Sequence, residues 1–238
     1  MMPEWHSRGY LPHFDAPEAI QAITYRLSDS LPFEVVSRLA DQLASLPEQE
    51  RDAERRRRIE RWMDAGHGCC LLRDAEAARL VTEAWHRFDG ERYRLLAWVV
   101  MPNHVHVVIE LNGTCPLARI VQSWKSFTGR RLMERMPAGC SSVWSREYWD
   151  RWMRDERHFL QTVAYVEGNP VAARLVGRAE DWTWSSARER RAPARLDGGN
   201  GNGGNGNGGN GNGGNGSNGS NGGNGGNGSN GGNGSNGA

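Results

Sequence analysis

Two histidines separated by a single residue, His104-Val105-His106, open an apolar, β-branched run over residues 104–111. On a strand, successive side chains point to opposite faces, so His104 and His106 share one face and Val105 enters the core. Imidazoles at that spacing can offer nitrogens to one divalent ion. Two polar residues on a sheet face with no ligand is the plain alternative. Far along the chain, Tyr165 lies in a stretch that reads as helix, with Asn169 four residues on. One helical turn puts both on one face. By itself, a helical tyrosine flanked by Val and Ala is a packing residue. For Asn169 two readings stand. Gly168 weakens the helix end and Pro170 biases Asn169 away from the α region, so Asn169-Pro170 also fits the cap and first position of a new helix.

These side chains need a scaffold, and the chain supplies one before residue 198. All 29 basic and 28 acidic residues fall there, while residues 198–238 contain only Gly, Asn, Ser and a final Ala. Such a tail cannot offset its ordering entropy, so the expectation is one domain over 1–197 and a disordered tail over 198–238. Residues 1–19 read as irregular, with Pro3, Gly9, Pro12 and Pro17 as breakers. A strand is expected over 20–27, with Ile23, Tyr25 and Leu27 on one face. Helices are expected over 33–46, 48–64 and 74–88, the last capped by Asp74. Residues 93–101 and 104–111 read as a hairpin around Pro102-Asn103. A long helix runs from Pro116 to about 136. Aromatic short segments follow, then a helix over 155–168 and a restart over 169–176. The order predicts an α+β domain, a small antiparallel sheet with helices on one face.

Composition excludes several classes. No run approaches a membrane span, no signal-peptide core opens the chain, and the four cysteines form no CxxC pair. The thiols read as reduced and the location as cytoplasmic, with no membrane partner. A net charge of +1 gives no global nucleic-acid signal. In the Arg55–Arg58 run, the i,i+4 pairs Asp52–Arg56 and Glu54–Arg58 favour a solvated ion-paired face over a DNA contact. Lys125 is the only lysine, so arginine usage reflects chain composition as much as function.

Taken together, the motifs are specific. The string Met101-Pro102-Asn103-His104-Val105-His106-Val107-Val108-Ile109 and the later Tyr165-Val166-Glu167-Gly168-Asn169-Pro170-Val171 resemble the single-tyrosine HUH transposases of bacteria, most closely their REP-associated branch. Trp5-His6-Ser7-Arg8-Gly9-Tyr10, Val143-Trp144-Ser145-Arg146-Glu147-Tyr148 and Asp181-Trp182-Thr183-Trp184-Ser185-Ser186 support it. The resemblance covers most of residues 5–190. It implies a ferredoxin-like or RRM-like fold with the histidines on a central strand. It implies Mg²⁺ or Mn²⁺ on His104 and His106, with Asn169 at the third metal-site position. Tyr165 would attack a phosphodiester in single-stranded or hairpin DNA, leaving a 5′-phosphotyrosyl link and a free 3′-OH. Imidazole ligands suit Mn²⁺ somewhat better than Mg²⁺. The implied partner is a REP-type hairpin in the nucleoid, met by a monomer or homodimer. Arg8, Lys125, Arg130, Arg131, Arg146 and Arg154 are the candidate DNA contacts, each with a solvated surface charge as its alternative. Trp144 or Trp149 could stack on an unpaired base, although core packing is their ordinary role.

Two other classes compete. A metal-dependent hydrolase would use the two histidines with a carboxylate, and Glu110 shares the face of His106. A non-cleaving hairpin-binding module would need neither the histidines nor Tyr165.

Overall fold

The computed structural model describes residues 4–7, 12–15, 18–31 and 33–191. Arg8 and the expected tail lie outside the described residues.

Among the described residues, six strands and six α-helices follow one another: β1 (Glu4–Ser7), β2 (Pro12–Asp15), β3 (Ile20–Arg26), α1 (Phe33–Ala44), α2 (Glu48–Asp64), α3 (Ala75–His86), β4 (Tyr93–Val100), β5 (His104–Leu111), α4 (Leu117–Leu132), β6 (Trp149–Trp152), α5 (Glu156–Ala172) and α6 (Ser186–Arg191). The main sheet has the order β4-β5-β3-β6, and every neighbouring pair is antiparallel. With helices between β3 and β4 and between β5 and β6, this is the ferredoxin-like arrangement expected from the sequence. β5 lies inside the sheet and is buried on both faces, which is why it reads as a nearly unbroken apolar run.

On one face Ile23, Tyr25, Leu27, Trp98, Val100, Val105, Val107 and Ile109 meet α3 and α4. Its aromatic core is polar-satisfied: Trp85 Nε1 donates to Tyr25 Oη at 3.0 Å and Trp124 Nε1 to Tyr93 Oη at 2.9 Å. Trp144 belongs to this core, its Nε1 donating to Thr128 Oγ1 at 2.8 Å. The other face is smaller. Ala97, Val99, Met101 and Val108 meet Val163 and Val166 of α5. Helices therefore cover both faces, not one, and α5 lies on the face that carries the histidines. A third cluster joins α1 to α2 through Leu39, Leu43, Ile59 and Met63, with Trp149 packed against it.

Two local expectations change, and one supporting string finds its place. Glu4–Ser7 and Pro12–Asp15 pair as short antiparallel strands where breakers suggested irregular chain; four-residue strands leave little alternation to read. The expected break at Asn169 is absent. Helix α5 runs through Pro170, and Asn169 is buried within it. Proline costs the turn one N–H donor but keeps a helical φ, so tertiary packing carries the helix across it. The string around Trp182 proves to be edge protection for β4: Trp182 Nε1 donates to Val100 O and Val100 N to Trp184 O, both at 2.9 Å.

Candidate functional site

The hairpin turn Pro102-Asn103 fixes the first histidine. Asn103 Nδ2 donates to His67 O at 2.9 Å, which orients the amide and leaves Oδ1 facing His104 Nδ1 at 2.8 Å. An amide oxygen only accepts, so His104 carries its proton on Nδ1 and its Nε2 lone pair is bare. On the neighbouring strand Thr24 is paired with His106 in register, and Thr24 Oγ1 sits 2.7 Å from His106 Nδ1. Both Nε2 atoms then converge, 3.1 Å apart. Both rings are buried. Burial, and then the proximity of His106, hold His104 well below the ordinary imidazole value, and burial pulls His106 down to about 4. Near pH 7 both are neutral, the form that binds a metal.

Helix α5 lies over the pair. Asn169 Nδ2 is 3.3 Å from His106 Nε2, and Asn169 Oδ1 is buried with no hydrogen-bond partner. Exchanging the amide N and O turns that orphaned oxygen toward the histidines. One turn earlier, the Tyr165 ring meets His106 edge-on at 5.6 Å and remains 46% exposed. Burial of its hydroxyl, followed by the Glu60 and Asp64 carboxylates, pushes the phenol above its ordinary value, so it is protonated at neutral pH. The donor set fits a divalent ion. With bonds of about 2.1 Å, adjacent donors on an octahedral ion are about 3 Å apart. The spacings of 3.1 and 3.3 Å match.

A cleft of about 430 Å³ opens beside Tyr165, bounded by α2, β6 and α5, with Arg57, Trp149, Arg151 and Gln161 among its walls. Trp149 thus faces the cleft. Sequence reasoning missed several neighbours. Asp64, the last residue of α2, places Oδ1 3.7 Å from His104 Nε2, and burial pushes its carboxyl up to about 6. Arg26, paired with His104, has a buried Nε without a partner. Thr24 and Arg26 could have been found from strand register, given the pairing partner. Asp64 left no signal, because its approach depends on how a helical hairpin folds over the sheet.

The candidate basic residues divide. Arg130, Arg146 and Lys125 line a groove of about 910 Å³ between α4 and the 141–148 segment. Ser145 N donates to Arg26 O, so the groove reaches the end of β3 that pairs with His104. Arg131 stacks on Phe127 at 3.8 Å, and neither it nor Arg154 lines this groove. Glu54–Arg58 is an ion pair at 2.6 Å, as the spacing suggested; the Asp52 and Arg56 side chains lie outside the described residues. Glu110 pairs with Arg94 at 2.6 Å and sits four residues, roughly 13 Å, along the strand from His106. It is no part of this site, which removes the carboxylate a hydrolase reading needs from β5.

Lys125 is a clamp. Its Nζ donates to Ser145 O at 2.7 Å and Arg146 O at 2.8 Å, and burial pulls its pKa down to about 8. A guanidinium cannot place one compact donor group between two carbonyls there. Lys125→Arg is expected to cost about 1–2 kcal/mol, a melting decrease of about 3–6 °C. Arg131→Lys should shift the midpoint by no more than about 1 °C. Equal shifts in the two variants would return Lys125 to the surface charges.

Among the described residues, no helix is long and apolar enough to cross a membrane. Residues 73–169 match the family described as "Transposase IS200 like". An uncharacterized Haemophilus influenzae protein is 32% identical over 98 residues, covering 33% of this chain and 54% of that one. A REP-associated tyrosine transposase of Escherichia coli is 27% identical over 96 residues, covering 40% and 54%. The chain spans about half the length of the curated relatives it matches. A solved REP-associated tyrosine transposase bound to a REP hairpin aligns with a TM-score of 0.49 at 17% identity, covering 77% of this chain and 83% of that one. The family resemblance drawn from the motifs is borne out by the family match and the curated relative.

Proposed function

We propose that this chain, whose residues 73–169 match the IS200-like transposases, cleaves and rejoins single-stranded or hairpin DNA of the nucleoid through Tyr165. One observation carries the reading: two neutral imidazoles with their Nε2 atoms 3.1 Å apart lie beneath an exposed tyrosine on the adjoining helix.

His104, His106 and Asn169 would hold Mg²⁺ or Mn²⁺. When bound, the ion polarises a phosphate oxygen and stabilises the departing 3′-oxygen. The remaining work falls to the chain. Asn103 and Thr24 keep the imidazoles oriented. Tyr165 Oη attacks phosphorus, forming a P–O bond to the phenol. The P–O3′ bond breaks, its electron pair goes to O3′, and O3′ takes up a proton. The phenolic proton passes to solvent at the open side of the ring. Reversal by a free 3′-OH rejoins the strand.

The groove beside α4 would take the hairpin's phosphates, with Arg130 and Arg146 as contacts. Arg130→Gln and Arg146→Gln should each weaken hairpin binding several-fold and lower the salt slope by about one. An unchanged slope would move the duplex to another face.

The test of the whole reading is direct. Incubated with a REP-type hairpin oligonucleotide and Mn²⁺, the protein should give a covalent adduct that survives a denaturing gel. Binding without any adduct would favour a hairpin-binding module instead.

A further inference from the structure

Three donors account for the divalent site so far, and all three are neutral. Two imidazoles and an amide bring no charge to a dication, although hard cations are ordinarily held with at least one carboxylate. Asp64 is placed to supply it. The residue closes α2, before the segment that matches the transposase family begins at residue 73. Its Oδ1 stands 3.7 Å from His104 Nε2, with the side chain two-thirds buried. Among the described residues, no lysine or arginine forms an ion pair with it; the neutral His104 ring is its neighbour.

Distances set the rest. On an octahedral ion with bonds of about 2.1 Å, donor atoms lie about 3 Å apart when adjacent and about 4.2 Å apart when opposite. The values of 3.1 and 3.3 Å match adjacent positions, and Asp64 Oδ1, at 3.7 Å, stands somewhat beyond the adjacent spacing. Asn169 Oδ1, buried and without a hydrogen-bond partner, is the amide oxygen that an exchange of N and O turns toward the histidines. Among the described residues, no three His, Cys, Asp or Glu side chains form, as placed, a group that could hold a metal ion. To bind, the Asp64 carboxylate must close from 3.7 Å to about 3 Å of His104 Nε2.

We propose that Asp64 is the anionic ligand of the divalent-ion site, delivered by the α1–α2 hairpin to the His104–His106–Asn169 set. This rests on reading that set as a metal centre. It makes the hairpin part of the site: Ile59 and Met63, which pack α2 against α1, hold the carboxylate over the sheet.

The test is Mn²⁺ titration of the metal-free full chain by calorimetry, with the Mn²⁺ spin signal as a second readout. Asp64→Asn keeps the shape and removes the charge. Its dissociation constant for Mn²⁺ should rise at least thirtyfold, while its metal-free melting temperature stays within about 2 °C of the parent. Asp64→Glu should recover part of the affinity, and Glu110→Gln, on the same strand as the histidines but away from them, should leave it within threefold. If Asp64→Asn destabilises the metal-free fold, Asp64→Ser makes the same comparison. A parent that binds Mn²⁺ while Asp64→Asn and Asp64→Ser bind equally well overturns the assignment. A parent with no Mn²⁺ site overturns the metal centre itself, and the two failures are distinct.

Discussion

Tyr165→Phe is expected to form no covalent protein–DNA adduct while retaining hairpin affinity within about threefold. The ring contributes packing, not only chemistry: it meets His106 edge-on at 5.6 Å, and phenylalanine keeps that contact. Only the hydroxyl is lost, and among the described residues the two threonine hydroxyls nearby are already engaged. Thr24 Oγ1 is held at 2.7 Å by His106 Nδ1, and Thr162 Oγ1 donates to His158 O at 2.8 Å. Residue 165 is not among the residues that line the groove beside α4. The measurement pairs a denaturing gel with a binding titration on the same oligonucleotide. Cleavage that persists in Tyr165→Phe would assign the attack to water and sink the nucleophile.

Much of this site could be read in the chain because it is built on period-two geometry. His104 and His106 share a face whatever the tertiary fold does, and Val105 enters the core for the same reason. Tyr165 and Asn169 depended on a weaker inference. Gly168 and Pro170 argued locally for a helix break, and the structure keeps α5 intact because Val163 and Val166 anchor it on the sheet. Local preference lost to packing there. The side assigned to the helices was incomplete for a related reason. β4 and β5 are apolar on both faces, so their pattern shows that something covers each face without naming which helix does so. Asp64 lay beyond reach altogether. In sequence it ends a charged, solvent-facing helix like many others, and its meaning arises only when the α1–α2 hairpin brings it to His104.

His104→Ala and His106→Ala should each reduce adduct formation at least about a thousandfold, equivalent to about 4 kcal/mol of transition-state stabilisation. Each deletion removes one of two nitrogens that converge at 3.1 Å, and neither Asn169 nor Asp64 can stand in the place of an imidazole fixed from behind by Asn103 or Thr24. The loss must be separated from misfolding, because both rings are buried and truncation leaves a small cavity. Linkage separates them. An ion that binds only the folded chain raises stability by about 2.7 kcal/mol at a hundred times its dissociation constant. Mn²⁺ should therefore raise the melting temperature of the parent and of Tyr165→Phe, which keeps every donor. It should leave His104→Ala and His106→Ala unmoved. The four proteins thus sort into two pairs by metal response, while three of the four fail to make the adduct. Metal-induced stabilisation surviving in either alanine variant would show that the two histidines do not share one ion, and the chemistry assigned to this face of the sheet would have to be rebuilt around a different set of ligands.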